Sequence, residues 1–385
     1  MSDPLTIINA DALAALRGLP GASVHCVVTS PPYYGLRDYG TAKWAGGNDP
    51  SCTHGVRREW DGAKQTQGAM TGHAAARDRL NRTVCQSCGA RRVDDQIGLE
   101  ASFELYLARL VEVFREVRRV LRPDGTLFVN MGDSYATTGG TGSQGRQGQR
   151  YGRRHTQRNI RPEAAGGVKP KDLIGAPWRL AFALRDDGWF LRQGIIWHKP
   201  NPMPESVTDR FTKAHEDVFF LAKSARYYFD QDAILEPCSK NTHARLSQDV
   251  QNQIGSVRAN GCTRTGRPMK AAGRKFDPSA GNKNNASFDS ALAIMPKNRN
   301  MRSVWTIPAK AFKGAHFATF PPALVRPCIL AGCPPGGVVL DPFGGSGTTG
   351  MVALELGRRA VLIELNPDYC QMAQARCAAL GLALH

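Results

Sequence analysis

Residues 338–350 read Val-Val-Leu-Asp-Pro-Phe-Gly-Gly-Ser-Gly-Thr-Thr-Gly, and residues 360–364 read Ala-Val-Leu-Ile-Glu. This order predicts a buried strand, a glycine loop, a helix and a second buried strand. Glycines between a strand and a helix let the backbone approach a ligand closely, and Glu364, at the end of the second strand, can accept hydrogen bonds from ribose hydroxyls. The stretch therefore predicts a nucleoside cofactor, and the alternative is a plain glycine-rich turn.

The residues before the glycines indicate the charge of that cofactor. A pyrophosphate-binding loop has the pattern Gly-x-Gly-x-x-Gly, whereas here Asp341, Pro342 and Phe343 precede the first glycine. A carboxylate at this position would repel phosphate but would suit a cationic, amino-bearing ligand. S-adenosylmethionine is a ligand of this kind.

Strand and helix patterns alternate over much of the remaining chain, which predicts parallel crossovers and therefore an α/β fold with a doubly wound sheet. The apolar residues of the stretch 102–121 recur at three- and four-residue steps, as in an amphipathic helix. The predicted strands are 24–28, 126–130, 190–198, 217–223, 338–340 and 360–363, and the predicted helices are 102–121, 173–187, 347–356 and 367–380.

The charge of the chain is unevenly distributed. It has 385 residues and a formal net charge of +17. The segment 135–171 carries eight basic residues against one acid, and 239–303 carries twelve against three, so these two segments hold 16 of the 17 excess charges. Both are rich in Gly, Asn, Gln and Ser, which predicts loops that bind the phosphates of a nucleic acid, and the alternative is a pair of solvated, partly disordered loops without this role. We see no 18-residue apolar run and no signal peptide, so the sequence predicts a cytoplasmic protein without a membrane partner.

A second constellation follows the predicted strand 24–28. Thr29-Ser-Pro-Pro-Tyr-Tyr34 contains two consecutive prolines, which fix the backbone and remove two N–H donors. The carbonyls of such a turn can only accept hydrogen bonds, and the tyrosines offer a stacking face. This turn suits an amino group on a planar ring, and the alternative is a strand-ending turn with core aromatic residues.

Together the two constellations resemble the β-group of S-adenosylmethionine-dependent DNA amino-methyltransferases, in which a Ser-Pro-Pro-Tyr or Asp-Pro-Pro-Tyr motif lies N-terminal to the glycine loop. The resemblance covers most of the chain and includes the stretches 130–135, 196–206 and 316–321. It implies a Rossmann-like methyltransferase sheet with basic loop insertions. It also implies a catalytic set of Ser30, Pro31, Pro32 and Tyr33.

The resemblance further implies that the cofactor is S-adenosylmethionine. Asp11 resembles the acid that contacts the adenine moiety, although it is equally a candidate N-cap for a helix over residues 12–16. Phe317 resembles the segment that helps to close the cofactor pocket. The cofactor-binding set predicted in this way is Asp11, Phe317, Asp341, Pro342, Phe343, Gly344, Gly345, Ser346, Gly347, Thr348, Glu364 and Asn366.

The substrate implied is double-stranded DNA with a flipped target base. A serine at the first position of the motif more often accompanies cytosine N4, and Asp or Asn more often accompanies adenine N6, so cytosine is favoured with adenine as the alternative. A catalytically idle, zinc-containing DNA-binding protein is a second alternative. A cognate restriction endonuclease is a further candidate partner, and the sequence says nothing of the oligomeric state. The predicted DNA-binding residues are Arg153, Arg154, Arg158, His198, Lys199, Arg264, Arg267 and Arg274.

Four of the possible metal ligands occur as two close pairs. Cys52-x-His54 and Cys85-x-x-Cys88 are separated by about thirty residues, and four N or S ligands are what a closed structural zinc site needs. The alternative is two surface loops with reduced thiols. The chain thus divides into a catalytic-motif part (1–44), a zinc-binding insertion (45–98), a methyltransferase core (99–232) that contains the basic loop 135–171, a target-recognition region (233–305) and a cofactor-binding part (306–385).

Overall fold

The structure is a computed structural model. It describes residues 3–34, 43–49, 51–52, 84–85, 87–93, 96–100, 102–136, 168–169, 171–238, 298–309 and 320–381. The chain divides into two compact units. The first comprises Met1–Asp230 and Ser303–His385, and the second comprises Gln231–Arg302.

The first unit is built on an eight-stranded sheet with helices around it. The strands of the described chain are β1 (Leu5–Asn9), β2 (Val24–Thr29), β3 (Lys43–Ala45), β4 (Arg91–Val93), β5 (Leu121–Met131), β6 (Phe190–His198), β7 (His215–Ala222), β8 (Glu236–Pro237), β9 (Asn298–Arg299), β10 (Val304–Thr306), β11 (Val338–Asp341) and β12 (Arg359–Glu364). The helices are α1 (Ala12–Gly18), α2 (Phe103–Val120), α3 (Ala176–Asp186), α4 (Pro322–Gly332), α5 (Thr348–Glu355) and α6 (Pro367–Gly381).

The order of the strands in the large sheet is β1-β12-β11-β2-β5-β7-β6-β10. All neighbouring pairs are parallel except those of β7, which runs antiparallel to both β5 and β6. The predicted α/β doubly wound sheet is confirmed, but the prediction of parallel crossovers throughout is wrong for β7. The reason is that residues 199–214, which join β6 to β7, contain no helix, and without a crossover helix the chain turns back beside the strand it has just left.

Helices cover the sheet in two rows. Helices α1, α2 and α3 pack side by side, and so do α4, α5 and α6. Helix α2 begins after Ser102, whose hydroxyl accepts a hydrogen bond from the amide of Leu105 at 3.3 Å. Its buried face is the one that the sequence periodicity predicts, because Phe103, Tyr106 and Leu110 are completely buried.

Five described elements of the large unit were not predicted from the sequence. They are β1, β3, β4, α4 and β10. Helix α4 carries Pro327 in its interior, a residue that normally ends a helix, and β10 is only three residues long. Strand β5 also begins earlier than predicted, at Leu121, and the register with β2 shifts between Val24 and Cys26.

The described part of the second unit is small. It contains a 3₁₀ turn at Asp232–Ile234 and the antiparallel pair β8–β9, in which Arg299 lies 3.2 Å from Glu236. This unit covers nearly the same residues as the region 233–305, whose role in target recognition stays a prediction. No helix in the described part of the chain is long and apolar enough to cross a membrane.

Helix α4 approaches the sheet closely at its last residue, Gly332. A Cβ atom there would overlap the Thr126 hydroxyl and lie 2.8 Å from Cε2 of Phe128. We therefore expect Gly332→Ala to lower the free energy of unfolding by about 1–3 kcal/mol in denaturant titrations, since the interior cannot absorb the added methyl group without shifts. Gly18→Ala is the matched control, because Gly18 also ends a helix but a Cβ atom on it would meet no described neighbour within 4 Å. Equal stability of the two variants would contradict the close packing.

Candidate active site

The site lies at one edge of the sheet. The strands β1, β12, β11, β2 and β5 are parallel, so their carboxyl ends share this edge. The antiparallel strand β7 begins there, and its first residues, 215–217, pair with the carboxyl ends of β5 and β6. In open α/β sheets, ligands bind outside the carboxyl ends of the strands. Both the glycine loop after β11 and the Pro-Pro turn after β2 lie at this edge.

A buried carboxylate joins these two segments. Oδ1 of Asp341 accepts hydrogen bonds from the Thr29 hydroxyl at 2.6 Å and from the amide of Phe343 at 3.1 Å, and Oδ2 accepts one from the Thr349 hydroxyl at 2.7 Å. Burial raises the pKa of Asp341 to about 6, although these three donors act in the opposite direction. Asp341 thus ties the residue before Ser30 to the start of α5.

The glycine loop is compact because two of its glycines allow close packing. Gly347 has φ +79°, and a Cβ atom on it would lie 2.7 Å from Cβ of Ala373 in α6. A Cβ atom on Gly344 would lie 3.0 Å from Cβ of Leu362 in β12. The loop is also held from behind, where the Arg376 guanidinium donates to the carbonyl and the hydroxyl oxygen of Ser346, both at 2.6 Å.

Glu364, the predicted ribose ligand, lies directly beside the loop. Its Oε2 accepts a hydrogen bond from the amide of Gly345 and its Oε1 from the amide of Asn366, each at 2.8 Å. Burial raises the pKa of Glu364, and the backbone donors oppose that shift. With two carboxylates at the loop, the site is electrostatically unsuited to phosphate and suited to a cationic nucleoside. The residues present therefore fit the predicted sulfonium cofactor.

Two predicted cofactor ligands cap helices. Oδ1 of Asp11 accepts a hydrogen bond from the amide of Ala14 at 3.0 Å, which is the N-cap alternative. Oδ1 of Asn366 accepts one from the amide of Asp368 at 2.9 Å at the start of α6. Their contacts with a cofactor stay predictions. Of the other predicted cofactor residues, Phe317 lies outside the described residues, Pro342 and Ser346 lie in the loop, and Thr348 is the first residue of α5.

A hydrogen bond from a core side chain holds the Pro-Pro turn in place. The Tyr106 hydroxyl donates to the carbonyl oxygen of Pro32 at 2.8 Å. The carbonyl oxygen of Pro31 has no hydrogen-bond donor within reach among the described residues. The hydroxyl of Ser30 lies 3.5 Å from that of Tyr33, at the limit of hydrogen bonding. Two acceptors, the Ser30 hydroxyl and the Pro31 carbonyl, therefore remain for a ligand.

Glu216, which the sequence analysis did not single out, forms hydrogen bonds that hold Tyr33 of the turn in place. Its Oε2 accepts hydrogen bonds from the Tyr33 hydroxyl at 3.0 Å and from Nδ2 of Asn130 at 3.2 Å, and its Oε1 pairs with Nζ of Lys199. Burial, and then the Glu216 carboxylate, raise the pKa of Tyr33 well above its usual range. Tyr33 is therefore a neutral phenol whose ring position is fixed, and Gly132 leaves room for that ring.

The remaining predicted contacts with nucleic acid are only partly described. Lys199 lies beside the turn, as its ion pair with Glu216 shows, and its Nζ is 4.2 Å from the centroid of the Trp197 ring. Nδ1 of His198 lies 3.2 Å from the hydroxyl of Thr306 in β10. The other predicted DNA-binding residues lie outside the described part of the chain, namely Arg153, Arg154, Arg158, Arg264, Arg267 and Arg274.

Comparison with known proteins gives the family. The model of the DNA methylase family of the N6 and N4 type matches residues 24–375. The chain belongs to this family. It is 39% identical to the type II methyltransferase M.Cfr9I of Citrobacter freundii over 380 residues, which cover 97% of this chain and 90% of the relative. It is also 39% identical to the type II methyltransferase M.SmaI of Serratia marcescens, over 96% of this chain and 89% of the relative.

Among solved structures, the PvuII DNA methyltransferase, described as cytosine-N4-specific, matches with a TM-score of 0.50 and 16% identity, over 97% of this chain and 88% of that one. This likeness supports the fold. The resemblance to S-adenosylmethionine-dependent amino-methyltransferases is thereby confirmed, and the DNA methylase is an enzyme of the type II group with S-adenosylmethionine as its cofactor.

The raised pKa of Asp341 has a consequence for the stability of the DNA methylase. Because the pKa in the folded state, about 6, exceeds that of an unfolded aspartate, the folded protein binds this proton more tightly. The stabilisation by this proton is complete below about pH 4 and is lost as the pH rises through about 6. The loss between pH 4 and 7 is about 2 kcal/mol.

Asp341→Asn removes this titration and keeps the size of the side chain. We therefore expect the free energy of unfolding of the wild type to fall, relative to that of the variant, between pH 4 and 7. Denaturant titrations at several pH values measure this difference, and any constant offset from the altered hydrogen bonds cancels out. Parallel pH profiles for the two proteins would contradict the raised pKa of Asp341.

Proposed function

We propose that this DNA methylase transfers a methyl group from S-adenosylmethionine to the exocyclic N4 amine of a cytosine in double-stranded DNA. The observation that carries the proposal is the pairing of two segments at one sheet edge. The acceptor turn at Ser30–Tyr33 is tied through Thr29 and Asp341 to the glycine loop that suits a cationic nucleoside.

The acceptors of the turn match the needs of an aromatic amine. The lone pair of such an amine is delocalised into the ring, so the nitrogen is a poor nucleophile. Two acceptors, the Ser30 hydroxyl and the Pro31 carbonyl, would hold the two amino hydrogens and direct the lone pair away from the ring. The carbonyl of Pro32 is occupied by the Tyr106 hydroxyl and takes no part.

The remaining residues of the site would position the cofactor and the target base and would balance the charge of Glu216. S-adenosylmethionine, when bound, would supply an electrophilic methyl group for direct displacement: the S–CH3 bond breaks as the N–CH3 bond forms, S-adenosylhomocysteine leaves and one amino proton is lost to solvent. The protein therefore needs no covalent intermediate. Glu364 and the glycine loop would bind its nucleoside part, and Tyr33 would stack on the extruded base. Lys199 compensates the charge of Glu216, which keeps Tyr33 in place through its hydroxyl.

The choice of cytosine rests on Ser30. In the amino-methyltransferases that the motifs resemble, serine at this position more often accompanies cytosine N4, whereas Asp or Asn more often accompanies adenine N6. Adenine is the second candidate, because both bases present an amino group beside a ring nitrogen. An idle DNA-binding protein is disfavoured, since Ser30, Pro31 and Glu364 occur together at one edge.

Reaching the amine in a duplex requires flipping the nucleotide, which costs a few kcal/mol. Contacts with phosphates can offset this cost, and we assign them to the basic segments 135–171 and 239–303. We place target recognition in residues 233–305. The relatives are type II methyltransferases, which supports a cognate restriction endonuclease that cleaves the same DNA sites when they are unmodified.

The product identifies the target base. Purified protein incubated with methyl-labelled S-adenosylmethionine and mixed-sequence duplex DNA should place the label in N4-methylcytosine, as measured by mass spectrometry of the digested nucleosides. N6-methyladenine without N4-methylcytosine would assign the enzyme to adenine. A total absence of label from DNA would favour the idle protein.

Substitution of Ser30 tests whether its hydroxyl accepts a hydrogen bond from the substrate amine. Ser30→Ala should lower kcat by roughly 10²-fold, a size typical of the loss of one preorganised hydrogen bond to the reacting group. The variant should fold and bind cofactor normally, because the Tyr33 hydroxyl keeps its hydrogen bond to Glu216. Ser23→Ala is the matched control, since Ser23 directly precedes the opposite end of β2 and its hydroxyl donates only to the carbonyl of Pro20 among the described residues. An unchanged kcat in Ser30→Ala with intact cofactor binding, measured by calorimetry, would remove Ser30 from the catalytic set.

A further inference from the structure

Three cysteines converge in the segment that follows the Pro-Pro turn. The sulfur atoms of Cys52, Cys85 and Cys88 all lie within 4.8 Å of one another. Cys85 and Cys88 are buried and Cys52 is half-buried. Nothing in the proposed methyl transfer uses these thiols. We propose that Cys52, Cys85 and Cys88 bind a structural Zn²⁺ ion, and that this ion braces the segment against which the catalytic turn packs.

The spacing of the sulfurs matches a metal better than a disulfide. Sγ of Cys52 lies 3.8 Å from Sγ of Cys85. Thiolates bound to zinc at about 2.3 Å with tetrahedral angles lie about 3.8 Å apart, which is the same separation. A disulfide would place the two sulfurs about 2.05 Å apart and would leave the third thiol without a role.

The backbone around the cysteines has the form of a metal-binding turn. The amide of Cys85 donates to the carbonyl of Ala90 at 2.7 Å, and the amide of Gly89 donates to the carbonyl of Cys85 at 2.8 Å. Gly89 has φ +74°, a conformation that favours glycine. The amide of Ala90 also donates to the Cys88 sulfur. These contacts hold Cys85 and Cys88 so that the sulfur atoms of the pair converge.

The described residues of the insertion 45–98 form only a small apolar cluster around the three cysteines. Its described buried residues are Cys85, Cys88 and Ala90, with Trp44 and Cys52 packed against them, and its only described sheet is the pair β3–β4 of three residues each. So small a cluster does not bury enough apolar surface to order the chain around it, and small domains of this kind are commonly held together by metals or disulfides. A bound metal would supply the missing stabilisation.

The C-terminal end of the insertion 45–98 packs against the Pro-Pro turn. Ile97 is part of the main core together with Tyr34. Gly98 has φ +100°, and a Cβ atom on it would lie 2.9 Å from the carbonyl oxygen of Tyr33. Gly98 lies only ten positions after Cys88 in the sequence. An ion bound by Cys88 would therefore restrict the backbone near Gly98, which packs against the turn. His54, the fourth ligand that the sequence predicts, lies outside the described residues.

Metal analysis of the full-length protein tests the site. Protein purified without added metal or chelator should contain one Zn²⁺ per chain by mass spectrometry of the elements, and Cys88→Ser should lose most of it. Cys238→Ser is the matched control and should keep the metal, because Cys238 lies in the second unit and outside the cluster. Wild-type protein that contains no zinc, or a Cys52–Cys85 disulfide found by alkylation without reductant, would overturn the proposal.

Cobalt gives a readout that does not depend on the folding of a variant. Replacement of the metal with Co²⁺ should produce the thiolate-to-cobalt charge-transfer absorption and the intense visible bands of a tetrahedral sulfur site. Absence of these bands in wild-type protein whose three thiols are reduced would also overturn the site.

The bracing role rests additionally on the proposed methyl transfer. Removal of the metal with a chelator should lower kcat at unchanged affinity for S-adenosylmethionine, and an unchanged kcat would overturn the bracing role. Failure of the methyl-transfer proposal is distinguishable, because it would leave the metal content and the cobalt spectrum intact while no methylated nucleoside forms.

Discussion

The buried carboxylate of Asp341 is the interaction on which the geometry of the site depends. It ends β11 and takes hydrogen bonds from Thr29, at the end of β2, and from Thr349, in the first turn of α5. An uncompensated carboxylate in this position would be costly, and the two hydroxyls and one amide around it reduce that cost. Because Thr29 precedes Ser30 directly, the same contacts set the distance between the acceptor turn and the glycine loop.

A second carboxylate of the site, the half-buried Glu216, is compensated in a different way. Asp341 is surrounded by neutral donors, whereas Glu216 has the cation of Lys199 on one oxygen and two neutral donors on the other. A charged partner permits a carboxylate beside the Pro-Pro turn without a large unbalanced field. Protein groups thus compensate both the Asp341 and the Glu216 carboxylates. In the proposed methyl transfer, the Ser30 hydroxyl and the Pro31 carbonyl would then be the acceptors for the substrate amine.

Local sequence patterns predicted most of the helices and strands. Where the structure differs from the prediction, the difference has a physical reason. The periodicity of α2 and the sequence around the glycine loop are local signals, and both elements were found where expected. The direction of β7 was not predictable, because an apolar strand has the same pattern whichever way it runs, and only that direction brings Glu216 to the site. Likewise Asp341 was predicted as a ligand for the cofactor, yet its partner Thr29 is 312 residues away and no local rule connects them.

The topology also explains why a long insertion is tolerated directly after the Pro-Pro turn. The chain leaves β2 at the carboxyl edge of the sheet, and α2 then carries it to the start of the parallel strand β5, so the residues between the turn and α2 lie outside the sheet. The entropy of closing a loop grows only slowly with its length. The insertion leaves the core after Tyr34 and returns at Gly98, against the carbonyl of Tyr33, so both of its ends are fixed at the same turn. A loop of this length imposes little order by itself. A metal that joins Cys52 to Cys85 and Cys88 would divide it into shorter loops, and the part nearest the turn would become the most restricted.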